Sequence, residues 1–449
     1  MEAMASSSTV NEATPLATKI NVSEASSKAT DEGKKQQMGL WAAVCTLTAD
    51  IMGIGLMTLP YNFAQLGWFW GLSASVVIAT LSQYGGWLLS KTSEIYHDNK
   101  ATSYADLAHH SGGAWLDYLV SVVIVGYWAS TLPLFITLAA HSLFLVHESF
   151  CTWQAAFIVT MLLLIPTQIR NFTQLQILSA IATVSLNVAA LIIVVTIISD
   201  SSTYYADFPS RIVTSTWIPQ DSKAIHVLSH VASIAFAYNG HSIFLEIKRE
   251  MEVPNMFMTA LTITNAFMFV VYTSIASLYY ADVGNSGVRI FLADSVITDR
   301  RSRTVVGLLL MFHYCISYAV CALPFHATVQ RLAFPKLHSD APASTWLAVT
   351  VTCALVAMVV AITVPNFTDL ATLIGSVFIT LIVFFLPALF YLRGAQLNHK
   401  EMPVLHLVAC AVLIFVVSPI IFVGGLTGAI SQLQSDGGHL GALDVAGTC

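Results

Sequence analysis

The chain has 449 residues, 56% of them hydrophobic and only 10% charged, with a net charge of −6. Soluble domains carry about 25% charged residues, so a water-soluble fold of this composition would lack polar surface to cover itself. A bilayer removes that need, because its interior is itself apolar. No nucleic-acid partner is expected of such a chain.

Residues 1–36 are rich in Ser, Ala, Thr and Lys without periodicity, and are expected to form a disordered cytoplasmic tail. This polar stretch is too long for a secretory signal, and the first apolar run begins too deep in the chain. Residues 37–430 are read as a transport-type transmembrane domain and 431–449 as a short Gly-rich tail. An apolar helix of about 20 residues crosses the bilayer core. Eleven such spans are expected, at about 40–65, 68–90, 115–146, 152–169, 173–198, 225–247, 256–280, 304–331, 344–364, 367–391 and 403–428. The fold class is therefore an all-α polytopic membrane protein. Pro60, Pro133, Pro324 and Pro387 are expected to kink their spans. Asn187 and Asn265 are expected to bond between helices.

Basic residues set the orientation. With the N-terminus inside, the cytoplasmic side receives Lys19, Lys28, Lys34, Lys35, Lys91, Lys100, Arg170, Lys248, Arg249, Arg331, Lys336, Arg393 and Lys400. The other side receives Arg211, Lys223, Arg289, Arg300, Arg301 and Arg303, a cluster at 300–303 that runs against the trend. The seven cysteines form no framework, and no Cys/His spacing suggests a metal. No cofactor is implied. The absence of a nucleophile–base pattern argues against an enzyme.

Asn171-Phe172-Thr173-Gln174-Leu175 opens span 5, and Asn366-Phe367-Thr368-Asp369-Leu370 opens span 10, 195 residues later. Five spans separate the copies, so they enter from opposite faces, as a five-plus-five inverted repeat requires. The first spans of the two halves are both interrupted. Span 1 contains Gly53-Ile54-Gly55-Leu56-Met57-Thr58-Leu59-Pro60, and span 6 contains Ala237-Tyr238-Asn239-Gly240-His241. Glycines there would also serve close helix packing. Paired breaks in matching places, however, point to the binding site of a secondary transporter. An unwound turn exposes backbone N–H and C=O groups that must meet a cavity or a ligand. Half-helix N-termini around Gly53 to Met57 suit a carboxylate. Carbonyls near Ala237 to Asn239 suit an ammonium. A zwitterionic amino acid fits both without a buried charged side chain.

These residues carry a resemblance. Gly53 through Tyr61, then Ala64-Gln65-Leu66-Gly67-Trp68, Phe236 through His241 with Leu245-Glu246-Ile247, and Pro365-Asn366-Phe367 together resemble the amino acid/auxin permease family, within the amino acid–polyamine–organocation transporter superfamily. The likeness covers about residues 38–428. It implies eleven helices, discontinuous spans 1 and 6, a cytoplasmic N-terminus, and amino acid transport driven by protons or, in some branches, sodium. It also implies binding segments at Gly53, Ile54, Gly55, Leu56, Met57 and Thr58 and at Ala237, Tyr238, Asn239, Gly240 and His241. Span 8, from His313-Tyr314 to Ala322-Leu323-Pro324, is implied to face the same cavity. The sodium-coupled branch places an Asn four residues before the glycine pair. Ala49 stands there in this chain, which disfavours sodium.

Asp50 is the leading proton-coupling candidate, because an intramembrane carboxylate is costly unless it is paired, hydrated or protonated. His241 and His313 are further candidates. Tyr127 is placed to flank the substrate. Tyr61 and Glu246 are gate candidates at the two ends of the pathway. The expected function is proton-coupled secondary transport of amino acids by alternating access, in a plasma or vacuolar membrane. An auxin-like organic-anion carrier and an amino acid sensor of the same fold remain alternatives.

Overall fold

A computed structural model of the chain describes residues 38–96, 103–207, 214–218, 224–287, 297, 299–334, 342–363 and 367–435. The tail expected over 1–36, the repeat residues Pro365 and Asn366, and most of the C-terminal tail lie outside them. Among the described residues no strand forms. Helices run in the order α1 (Leu40–Ile51), α2 (Ile54–Ile95), α3 (Tyr104–Val146), α4 (Thr152–Leu163), α5 (Phe172–Asp207), α6 (Ala224–Ala237), α7 (His241–Glu250) and α8 (Phe257–Gly287). They continue with α9 (Arg300–Ala333), α10 (Ala343–Thr363), α11 (Phe367–Ile374), α12 (Leu386–Leu397), α13 (Val404–Val412) and α14 (Gly425–Ser435). A π-helical stretch, Gly375–Phe385, joins α11 to α12.

Eight helices among the described residues are long and apolar enough to cross a membrane. Val404, Leu405 and Phe415 stay about 75% exposed, as an outer face against acyl chains requires. At 1.5 Å per residue α2 would be about 63 Å long, twice the hydrocarbon core. Gly67 divides it. Its φ of 75° and ψ of 174° turn the chain back, and a Cβ there would lie 2.2 Å from the Trp217 carbonyl oxygen. The backbone N–H groups of Trp68 and Phe69 then donate to the Ser215 and Thr216 carbonyls. The limb before Gly67 continues α1 across the first break, and the limb after it corresponds to the expected span 2.

Gly113 (φ 73°) likewise bends α3 and leaves a leading turn, Tyr104–Gly112, that the hydropathy reading placed outside span 3. Ser103 caps that turn, its hydroxyl accepting from the Asp106 N–H at 3.2 Å. The breaks in helical dihedrals fall at glycines and not at the prolines. Helical dihedrals continue through Pro60, Pro133 and Pro324, while non-helical values fall at Gly67, Gly113 and Gly284. Proline fixes φ at a helical value, whereas only glycine takes these positive φ angles without strain.

One further expectation changes. Asn187 donates to the Thr183 carbonyl on its own helix at 2.7 Å, so it does not bond between helices. Asn265 does, donating to Gln83 Oε1 of α2. Cys151 is disulfide-bonded, while Cys45, Cys315, Cys321, Cys353 and Cys410 are free. The basic cluster at 300–303 opens α9. Asp299 caps it, accepting from the Ser302 N–H at 2.9 Å, and Arg303 pairs with Glu148.

Two groups of helices emerge. Gln83 of α2 accepts from Asn265 of α8, and Tyr272 of α8 donates to the Ile51 carbonyl that ends α1 (3.1 Å). Lys248 of α7 donates to Ser90 Oγ (2.9 Å), the Ser90 carbonyl (3.0 Å) and Ser93 Oγ (3.0 Å) of α2, beside Glu94 (3.3 Å). These bonds tie α1, α2, α7 and α8 together. On the other side α9 packs against both α3 and α5, with Ser185 of α5 donating to the Leu309 carbonyl of α9 (3.3 Å).

Candidate substrate-binding site

Both expected breaks are present. After α1 the chain turns at Met52 (φ −84°, ψ 82°) and Gly53 (φ −147°, ψ −79°) before α2 resumes. After α6, Tyr238, Asn239 and Gly240 leave helical geometry before α7 begins at His241. The two breaks touch. A Cβ built on Gly55 would lie 2.5 Å from Ala237 Cβ and 2.8 Å from the Tyr272 hydroxyl. A Cβ on Gly240 would lie 2.6 Å from Ile51 Cγ1 and 3.1 Å from Asp50 Oδ2. Glycine is required at both places by contact with the other break, not by backbone angle.

The expected binding residues gather here. Leu56, Met57 and Thr58 are buried on the α2 side, as are Ala237, Tyr238, Asn239 and His241 on the other. The Ile54 backbone opens α2, but its side chain is not described. Tyr127 of α3 faces the second break, where its hydroxyl accepts from Asn239 Nδ2 at 2.8 Å. Asn239 Oδ1 and the Tyr314 hydroxyl are buried without hydrogen-bond partners, so an acceptor stands ready at the second break.

The proton-coupling candidates separate. Asp50 lies at the junction, partly buried, with Oδ1 accepting from the Cys321 thiol of α9 at 3.6 Å and Oδ2 toward Gly240. His241 points away from Asp50 toward α2. Its Nε2 donates to the Ser82 carbonyl (3.0 Å), while the Ser82 hydroxyl donates to the Tyr238 carbonyl (2.8 Å). His241 Nδ1 is left unpartnered. His313 sits behind the first break, its Nε2 3.4 Å from where a Gly53 Cβ would lie. It is held by Nδ1–H donation to the Ala182 carbonyl of α5 (3.1 Å) and by contact with Ser317 Oγ (3.2 Å). Ser317 in turn reaches the Ala49 carbonyl of α1 at 3.1 Å.

The gate candidates lie at opposite ends. Half-buried Tyr61 stands edge-on to His230 of α6, with ring centroids 5.7 Å apart. Asn62 beside it donates to Ser233 (2.9 Å) and meets His230 Nδ1 through Oδ1 (3.0 Å). At the end where the described chain begins, Met38 and Met251 form a parallel bridge, so the start of α1 is strapped to the end of α7. Glu246 lies on that side, 9% exposed.

A profile described as transmembrane amino acid transporter protein matches residues 36–431. The chain belongs to this family. Among its relatives, amino acid transporter AVT3A of Arabidopsis thaliana is 25% identical over 85% of this chain and 87% of its own length. The N amino acid transport system protein of Neurospora crassa is 22% identical over 82% of this chain and 79% of its own length. Among solved structures, MhsT in complex with L-phenylalanine superposes with a TM-score of 0.61 at 12% identity, covering 88% of this chain and all of MhsT. A substrate-bound, outward-open Na+-coupled sialic acid symporter gives 0.57 at 14% identity, covering 93% and 95%. At such identities the structures establish the fold, a membrane-spanning helical architecture with inverted repeats.

Within this transporter the sequence reading missed Ser82, Cys321, Ser317 and the Asn62–Ser233–His230 cluster. Ser82 precedes a Gly-Gly pair, Gly85-Gly86, whose close approach was the available signal. A Cβ on Gly85 would lie 2.4 Å from the Val383 carbonyl oxygen and 3.1 Å from His241 Nε2. Nothing in the linear pattern marks Cys321 as a partner of Asp50.

Proposed function

We propose that the chain is a proton-coupled secondary active transporter of amino acids, with eleven crossings, a cytoplasmic N-terminus and a substrate held between its two helix breaks. The carrying observation is the direct contact of the breaks at Gly55–Ala237, with Asp50 at its edge. A substrate carboxylate meets the N–H groups that open α2, where the helix dipole favours negative charge. Its ammonium meets Asn239 Oδ1, an acceptor without a partner, and nearby carbonyls of the second break. Pairing both ends of a zwitterion there satisfies groups that would otherwise be costly in an apolar surround.

Asp50 takes the coupling proton. In the protonated state the carboxyl is neutral and tolerated beside Ile51 and Gly240; loss of the proton restores a charge at the substrate site. The group of spans 1, 2, 6 and 7 (α1, α2, α6, α7 and α8) rocks against the rest, including α3, α5 and α9, exposing the site to each side in turn. Proton release on the far side lowers substrate affinity. Tyr61 with His230 closes the outer end, and the Met38–Met251 strap closes the cytoplasmic end. No covalent chemistry enters this cycle, and the relatives are named as amino acid transporters or transport system proteins.

Uptake into proteoliposomes with a panel of labelled amino acids, under a proton gradient and a sodium gradient imposed separately, tests this. Accumulation driven by the proton gradient is expected. Uptake that requires sodium and ignores pH sinks the proton assignment. Uptake of organic anions lacking an amine, with none of amino acids, would instead support an auxin-like carrier. Asp50→Asn should abolish gradient-driven accumulation while leaving exchange.

A further inference from the structure

We propose that Glu246 and the small cavity it lines form the proton's release station on the cytoplasmic side of the substrate site, an inference that rests on the proton-coupled reading above. The cavity lies between α7 and α3 and is bordered by Ser242, Glu246, Tyr104, Ser121 and Trp128. Trp128 adjoins Tyr127, and Ser242 adjoins His241, so the cavity begins one step below the second break. Its free space accepts a group about the size of a water molecule, too little for an amino acid.

Two buried polar atoms there have no protein partner: Glu246 Oε2 and the Trp128 indole nitrogen. An acceptor and a donor beside a water-sized space whose remaining lining is largely apolar offer an enclosed water two of the about three hydrogen bonds such waters make. A carboxylate 9% exposed without a matching cation is a poor structural strut. The charged and titratable groups around it are few. Tyr104 and Asp106 approach from α3, while Arg249 and Glu250 follow on α7. Lys248, the adjacent cation, is turned to α2, where Ser90, Ser93 and Glu94 occupy it. Tyr104 spends its own proton on the Ile382 carbonyl at 2.7 Å. Glu246 is thus the group on this path with an open lone pair.

The path upward is short. Asp50 Oδ2 faces Gly240, and Glu246 lies six residues further, about 9 Å along α7. The Ser242 hydroxyl and enclosed water bridge that interval. The O–H bond of protonated Asp50 breaks, protons shift along the hydrogen-bonded chain, and an O–H bond forms on Glu246. Glu246 then gives up its proton to cytoplasmic water, leaving both carboxylates ionised. No electron transfer or co-reactant is involved.

The test uses the full chain in proteoliposomes carrying wild type, Glu246→Gln or Glu246→Asp, and measures two quantities with the same labelled amino acid. One is exchange at equal pH on both sides; the other is accumulation driven by a proton gradient. Gln keeps the shape and the hydrogen bonds but holds no transferable proton. Glu246→Gln is expected to keep exchange within about twofold of wild type and to lose more than about tenfold of the accumulation. Glu246→Asp is expected to recover accumulation with a displaced pH profile. Accumulation by Glu246→Gln equal to wild type overturns the proposal. So does parallel loss of exchange and accumulation, which marks Glu246 as a structural gate. Wild type that accumulates substrate without regard to the proton gradient removes the underlying reading itself, a result visible before any variant is compared.

Discussion

Replacing Gly55 with alanine adds one methyl group at the point where the two breaks meet. That Cβ would lie 2.5 Å from Ala237 Cβ, 2.8 Å from the Tyr272 hydroxyl and 2.9 Å from Ala237 Cα. Favourable contacts between carbon atoms sit at about 3.5–4.0 Å, so the two segments must separate by roughly 1 Å. Overpacking of this kind costs about 1–3 kcal/mol, equivalent to about a 5- to 150-fold loss in substrate affinity if it falls on the closed, bound geometry. Binding of labelled amino acid to purified protein, with a thermal melt on the same samples, separates loss of the site from loss of the fold. Gly39→Ala is the control, because a Cβ there meets nothing within 4 Å and the φ of −72° with ψ of 167° suits any residue. The double variant Gly55→Ala, Ala237→Gly moves the methyl from one break to the other and should recover part of the loss. Non-additivity of at least about 0.5 kcal/mol is expected for residues in contact. Wild-type affinity in Gly55→Ala, or purely additive effects in the double variant, would refute the direct contact of the breaks.

Other outcomes follow from the same geometry. Gly67→Ala should lower the melting temperature well beyond Gly113→Ala. Both glycines hold positive φ, but a Cβ at Gly67 strikes the Trp217 carbonyl oxygen at 2.2 Å while Gly113 has open space. Tyr127→Phe leaves the buried Asn239 amide without its acceptor, a loss of about 1–3 kcal/mol that should raise KM with little change in the amount of folded protein. Lys248→Met should weaken the tie of α7 to α2, seen as faster hydrogen exchange in α7 than in α6. The Asp299 carboxyl is held below the usual carboxylate range by the Ser302 backbone N–H, and then by the Ser302 hydroxyl. A depressed carboxyl stabilises the fold above its unfolded pKa and loses that contribution as pH falls through the folded value. Protection of the amides at the start of α9, taken relative to intrinsic exchange at each pH, should therefore fall in acid, and Asp299→Ala should remove the dependence.

How much of this was legible in the chain depends on whether the signal is local. The breaks were readable because a glycine and polar cluster inside an apolar run has few explanations in lipid. The long apolar spans were readable for the same reason. The turning points were not, because Gly67, Gly113 and Gly284 look like any membrane glycine until a backbone angle separates them. The prolines do not mark these turning points, since a span holds one without leaving helical dihedrals. Partners across the fold carried no linear mark: Cys321 with Asp50, Ser317 with Ala49, and Asn62 with His230 lie 168 to 271 residues apart. Asn187 failed because its amide found a carbonyl one turn back, which spacing cannot distinguish from a neighbour on another helix.

The contacts between the two helix groups bear directly on how little energy a rocking motion requires. Near the first break they are single hydrogen bonds: Ser317 to the Ala49 carbonyl, Cys321 to Asp50, and Thr183 of α5 to the Cys45 carbonyl at 3.2 Å. Each is worth about 0.6 kcal/mol in a membrane interior, so these bonds add at most roughly 2 kcal/mol to the packing of α1 against α5 and α9. Ser317 has a single hydroxyl proton to divide between Ala49 and His313. With a neutral His313 ring donating from Nδ1, donation to Ala49 leaves Nε2 unmatched, and donation to Nε2 leaves Ala49 unmatched. This tie is therefore weaker than its distances suggest. A substrate that prefers one arrangement by a few kcal/mol suffices to shift the population, since a ligand moves a two-state equilibrium by its differential affinity alone. Ser317→Ala removes the shared proton and frees α1 from α9 at that point. It should raise exchange rates and broaden the distance distribution between spin labels on α1 and α9 measured without substrate, while substrate narrows it again. A distribution unchanged by Ser317→Ala would mean that packing, not these bonds, holds the two groups together.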